Sequence, residues 1–179
     1  MSTIPEELKY PIGKFEVANT VTDAMLADWI LTLEQFPMQL AQLISDLTDQ
    51  QLDTPYRPEG WTVRQLLVHI GDSHLNCYVR FKWALTEDQP TIKAYDQAGW
   101  ANLADVEISS ATECVDFIAA VHRRWVKLLR ALSSDQWDRS FVHPETGKAI
   151  TLRRNLGLYD WHSRHHFAHI QRLIEREGW

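Results

Sequence analysis

Four histidines, His162, His165, His166 and His169, fall within the stretch DWHSRHHFAHIQ, which is half of the eight in the chain. Imidazole titrates near neutral pH and is the commonest side-chain ligand for zinc, nickel and copper, so this concentration points to metal binding or proton transfer. On a helix each residue advances by about 100°, and with His162 at zero, His166 falls at about +40°, His169 at about −20° and His165 at about −60°. The apolar residues Tyr159, Ile170, Leu173 and Ile174 centre at about +70° by the same count, which makes His166 and His162 the most inward pair. His165 falls nearer the edge, and His165 with His169 forms a second possible i,i+4 pair. Side chains four apart have Cβ atoms about 5–6 Å apart, close enough for both rings to reach one cation at about 2.0–2.1 Å.

A lone inward histidine is ordinarily a hydrogen-bonded core residue. Several packed together are costly if any is protonated, whereas a cation holds them neutral and turns their burial into binding energy. A third ligand has to come from another helix, and HIGD offers His69, flanked by Leu66, Leu67 and Ile70. With His69 at zero, Ser73 falls at about +40°, Asn76 at about −20° and Arg80 at about +20°, a single polar stripe. Inside a bundle such a stripe marks a cavity or ligand site; facing solvent it is an ordinary polar face. His74 projects away from His69 and reads as peripheral or as a core hydrogen-bonder. His122, beside Trp125, and His143, before Pro144, are not assigned to the metal.

The elements that must position these side chains are four amphipathic helices, recognised by apolar residues at three- and four-residue spacing. The first is expected from about Thr20 to Leu47, with Pro37 inside it as a kink. The second starts at WTVRQLLVHIGDSH and runs to about Leu85. The third starts at Ser109 or Ser110, where Glu113 completes a capping box, and ends near Leu132. The fourth carries the histidines from Thr151 or Asn155 to Glu177, with Gly178 as its stop. No segment alternates as a strand, and Pro144, Thr146 and Gly147 mark a turn before the fourth helix. The connection from Thr86 to Ser109 is long and is expected to fold over one end of the bundle.

The 179 residues suit one domain spanning 1–179, with 45% hydrophobic residues, 23% charged and eight tryptophans. A net charge of −6 with scattered basic residues argues against nucleic acid as a partner. The amino-terminal MSTIPEELKYPIGKFE lacks the basic start and apolar run of a signal peptide, and no segment has the length and apolarity of a membrane span, so a cytoplasmic protein is expected. Two cysteines, Cys77 and Cys114, make neither a disulfide framework nor a metal cage and read as free, half-buried thiols.

Three motifs, YPIGKFE, GWTVRQLLVHIGDSHLNCYVRFKWALTE and HPETGKAITLRRNLGLYDWHSRHHFAHI, resemble those of the DinB/YfiT-like superfamily of metal-dependent hydrolases and thiol transferases, nearest to its YfiT, bacillithiol transferase-like branch. With their spacing they cover nearly the full chain. The resemblance implies an all-α four-helix bundle, a homodimer, and a divalent cation held by His69 from HxxD on the second helix with His162 and His166 from HxxxH on the fourth. Ile70 departs from the pattern, since relatives often carry a second histidine there.

Three neutral imidazoles leave a cation its charge and open positions, an arrangement suited to catalysis on a small molecule. Zinc or nickel fits imidazole best. Such a site lowers the pKa of water for attack on an amide or ester, or deprotonates a low-molecular-weight thiol for attack on an electrophile. A metal- or ligand-binding stress protein without turnover is the non-enzymatic alternative. Arg80 is the candidate for holding an anionic group, against a structural ion pair. Asp72 is the candidate for orienting an imidazole, against helix packing. Trp61, Trp100 and Trp161 flank the motifs and are expected in the core first, in a pocket wall second.

Overall fold

Each long helix begins at a hydroxyl side chain that accepts from a backbone N–H three residues on, so its first orphan donors are satisfied locally. In the computed structural model, which describes residues 4–16, 18 and 20–179, the short helix α1 (Glu6–Lys9) precedes α2 (Asp23–Ile44), capped by Thr22. Residues 1–3 of the amino-terminal stretch lie outside the described residues. One turn, α3 (Asp49–Leu52), leads to α4 (Val63–Thr86), where Thr62 and Gln65 form a capping box. Two further short helices, α5 (Gln97–Trp100) and α6 (Ala104–Ile108), precede α7 (Ala111–Arg130), capped by the Ser110–Glu113 box expected from the sequence. After α8 (Ser134–Trp137) come strands β1 (Ser140–Val142) and β2 (Ala149–Thr151), then α9 (Leu152–Glu177), started by Thr151 and stopped by Gly178 at φ 72°.

The four predicted helices are present within a few residues of their expected bounds. The hairpin was not expected: β1 and β2 pair antiparallel with Phe141 opposite Ile150, and three residues per strand are too few to show alternation. Around the bundle, α2 packs on α7 and α9, and α4 packs on the same two, so α2 and α4 stand on opposite sides.

Two apolar cores occupy the two ends. One joins Leu26, Leu33, Phe81, Trp125, Leu129 and Leu156, and the other joins Phe36, Leu40, Leu66, Ile70, Ile118 and Leu173. Reading these along each chain direction, α2 runs parallel to α9 and α4 runs parallel to α7. A 24-residue helix rises about 36 Å, so the chain leaving α4 must travel back the full length of the bundle before α7 can begin beside it. This explains the long connection and corrects its expected placement. It runs along α4, bonded to Val142 through Pro90 and Ile92 near one end and to Gln65 through Ala101 near the other.

Between the two cores lies a layer of histidines. His69, His74, His122, His165, His166 and His169 are all buried in it, and His162 is partly buried. The thiols are deeper than expected: both cysteines are buried, and Cys77 Sγ accepts from Asn155 Nδ2 at 3.0 Å. No helix among the described residues is long and apolar enough to cross a membrane.

Candidate metal centre

His69 is delivered by α4 and His162 with His166 by α9, on facing sides of one seam of the bundle. His162 Nε2 lies 3.3 Å from His69 Nε2 and 3.1 Å from His166 Nε2. Two nitrogens on one cation at about 2.05 Å are separated by about 2.9–3.4 Å, so these spacings fit a shared cation. The chemistry of the donors fits as well. Three lone-pair nitrogens facing one another cannot all be satisfied by protons, but one cation serves all three.

Electrostatics keeps them available. Burial lowers the pKa of His69 from 6.5 to about 4. Burial, then the charge of neighbouring imidazoles, takes His162 and His166 well below the usual range. All three are neutral imidazoles at pH 7, the form that could bind a cation.

The alternative pair is also assembled. His165 and His169 place their Nε2 atoms 3.1 Å apart, and His166 lies close enough to complete a second group of three. His165 is not at an edge as expected but buried, stacked on Trp161 with ring centroids 4.3 Å apart. The two groups differ in surroundings. His169 has its pKa lowered to about 3 by burial, by His165, and then by the charges of Arg57 and Arg172. Two guanidinium groups beside a cation site oppose it, so the His69, His162, His166 group is the better electrostatic fit.

His74 and His122 were left outside the site by sequence reasoning, and of the two readings of His74 the core hydrogen-bonder holds. Both are fully buried, their ring planes are within 7° of parallel with centroids 4.9 Å apart so that they meet edge to edge, and Phe36 packs near both rings. His74 Nε2 lies 3.1 Å from His162 Nδ1, and His74 Nδ1 lies 2.7 Å from His122 Nε2. His122 Nδ1 meets the Leu33 carbonyl oxygen at 2.5 Å. Gly71 lets α7 approach α4 closely enough for this, because a Cβ there would stand 2.8 Å from Phe117.

The polar stripe of α4 faces inward at Ser73, whose Oγ lies 3.2 Å from the Tyr159 hydroxyl. Arg80, farther along, makes no ion pair among the described residues, and its Nε is buried without a partner. The nearby Tyr95 hydroxyl is likewise buried and unpartnered. Burial raises the pKa of Tyr95 and Tyr159, and the Arg80 charge works against that rise at both. The Asp72 carboxylate accepts no hydrogen bond from an imidazole among the described residues. It lines a separate cavity with Asp105, Cys114 and Phe117, where burial and then Asp105 raise its pKa to about 6.

Of the three flanking tryptophans, Trp61 is partly buried against an apolar core as well as facing the histidine layer, while Trp100 and Trp161 lie outside both cores. Trp61 packs on His69 with centroids 4.6 Å apart, Trp161 covers His165, and Trp100 lies on Tyr95 at 4.5 Å with 38% of its surface exposed.

Comparison with known proteins matches this architecture. YfiT of Bacillus subtilis is 45% identical over 172 residues, covering 96% of this chain and 97% of YfiT. Its solved structure, described as "a probable metal-dependent hydrolase with an unusual four-helix bundle topology", superposes with a TM-score of 0.94 over 97% of this chain and 99% of that one. A protein of Oceanobacillus iheyensis named "Putative metal-dependent hydrolase OB0782" is 45% identical over 175 residues, covering 96% of this chain and 98% of its own. A mycothiol-dependent maleylpyruvate isomerase shares the fold at 16% identity, with a TM-score of 0.61 over 83% of this chain and 63% of that one. The family model described as the DinB superfamily matches residues 32–170, and with these full-length relatives it shows that the chain belongs to that superfamily.

Proposed function

We propose that this protein is a metal-dependent hydrolase of small molecules, with a divalent cation, zinc or nickel, held by His69, His162 and His166. The observation that carries the reading is the convergence of three neutral ring nitrogens from two helices at spacings of 3.1 and 3.3 Å. The names of the full-length relatives support it. A cation bound there supplies a Lewis acid that activates water at neutral pH.

The chain's own groups supply the rest. Trp61 shields the His69 side of the site and limits water around the reacting group. Arg80, with its buried and unpartnered Nε, and Tyr95, with its unpartnered hydroxyl, form the recognition end. A guanidinium with its Nε buried and no carboxylate partner suits an anion, so the substrate is read as carrying a carboxylate or phosphate away from its scissile bond.

The test is turnover of an ester and amide panel by zinc- or nickel-loaded protein, compared with His162→Ala. Hydrolysis without added thiol, lost in the variant, is the expected result. Turnover of an electrophile only when a low-molecular-weight thiol is added would replace hydrolysis with thiol transfer. Stoichiometric ligand binding without turnover of either kind would make the protein a non-enzymatic binder.

A further inference from the structure

The line of imidazoles behind the site ends on a group that can play only one part. A peptide carbonyl oxygen accepts hydrogen bonds and cannot donate them, so His122 Nδ1, 2.5 Å from the Leu33 oxygen, carries a proton. His122 is 1% exposed and His74 not exposed at all, and no carboxylate bonds to either ring, so both are neutral and each carries one N–H. His122 Nε2 is therefore a lone pair. His74 Nδ1, 2.7 Å away, must donate to it, which leaves His74 Nε2 as an acceptor. His162 Nδ1, 3.1 Å from that acceptor, must donate in turn.

We propose that His74 and His122 are positioning residues that fix the tautomer of His162, so that the Leu33 carbonyl at the far end commits the Nε2 lone pair of His162 to the cation site. The proposal rests on the reading of His69, His162 and His166 as ligands. Nε2 is the atom that faces both His69 and His166. Without the line, a neutral imidazole in a buried site could place its proton on that nitrogen, and ligation would first require moving it. Neither other ligand is fixed in this way: His166 Nδ1 is buried without a partner among the described residues. His162 is then the ligand prepared in advance, and His69 and His166 adjust around it.

The direct test needs no metal. Long-range proton–nitrogen correlation spectra of metal-free protein labelled with 15N-histidine report which ring nitrogen carries hydrogen. His162, His74 and His122 are all expected as the Nδ1–H form, and an Nε2–H form at any of the three overturns the proposal. Zinc affinity, read by competition with a chromophoric chelator, gives the second arm. His122→Leu is expected to weaken zinc binding by about 10–100-fold, the usual effect of losing an outer partner of a metal ligand. His122→Gln is expected to stay within a few-fold of the unaltered protein, since its amide can donate to Leu33 and accept from His74. Equal affinities for the two variants would overturn the proposal. If His122→Leu does not fold, the spectra of the unaltered protein decide. A chain that binds no zinc at all would defeat the metal reading, while the spectra still settle the tautomers.

Discussion

The Tyr159 hydroxyl donates to the Ser73 carbonyl oxygen at 3.1 Å, and this bond ties α9 to α4 beside His162. Its Ser73 Oγ neighbour lies 3.2 Å away, so the hydroxyl serves two groups that have no water to turn to. Tyr159→Phe keeps the ring against Trp125 and His74 but removes both contacts. The expected loss is about 1–2 kcal/mol of unfolding free energy, the cost of leaving a buried polar group unmatched. Urea denaturation at pH 7 measures it, and an unchanged midpoint would show that the seam is held by packing alone.

Metal-free protein should lose stability as the solution is acidified through the histidine range. His69 and His122 have pKa values lowered to about 4 by burial, whereas the unfolded chain titrates near 6.5. Between pH 6.5 and 4 the unfolded state therefore binds protons that the folded state refuses, and stability falls as pH falls. Each such group contributes a slope of up to about 1.4 kcal/mol per pH unit. Asp72 works in the other direction between 3.8 and about 6, because its folded carboxyl is the one that holds a proton. Several histidines outweigh one carboxyl, so the urea midpoint should drop from pH 7 to pH 4.5, and a flat profile would contradict the burial of the histidine layer.

Most of the fold was legible because its signals are local. Thr62, Ser110 and Thr151 cap helices whose apolar residues recur at helical spacing, and Gly178 supplies the left-handed stop. The angles of one helix turned His162 and His166 toward the bundle, but they also placed at an edge His165, which is buried more deeply than His162. What that arithmetic could not see was the neighbour. His74 lies about 140° around α4 from His69, yet its ring reaches His162 on α9 because a third helix, bearing His122, closes in behind it. The return path along α4 was hidden for a similar reason: it depends on α4 and α7 being parallel, a property of the assembled bundle. Trp161 sits at a helical register like a core residue and Trp61 just ahead of the Thr62 cap, and only the assembled layer shows them lying on imidazoles.

Metal content should separate the two histidine groups. His69→Ala, His162→Ala and His166→Ala each remove one of the three converging nitrogens, and their zinc or nickel affinity should fall by more than about 100-fold, beyond the usual effect of an outer partner. His165→Ala and His169→Ala leave that set intact and should retain one metal per chain by mass spectrometry after loading and desalting. His166 belongs to both geometric groups, so it is the outer pair that discriminates. Loss of metal in His165→Ala and His169→Ala, with retention in His69→Ala, would move the site to the side of Arg57 and Arg172.

Arg80 should reveal the charge of the substrate. Its Nε is buried, pairs with nothing, and lies near Tyr95 and Tyr159, so replacing it with alanine removes no internal bond and relieves one unpartnered buried N–H. Folding stability should therefore hold or rise slightly. Recognition should suffer: a charge-assisted bond to an anion contributes about 1.5–3 kcal/mol, which corresponds to roughly 10–100-fold in KM for a carboxylate- or phosphate-bearing ester. The matched neutral ester should keep its KM, and kcat should change little for either, since the guanidinium lies away from the reacting bond. Paired kinetics on the two esters with Arg80→Ala and Arg80→Lys measure this. An equal loss on both substrates would make Arg80 a structural cation, and the recognition end of the site would have to be sought elsewhere along α4.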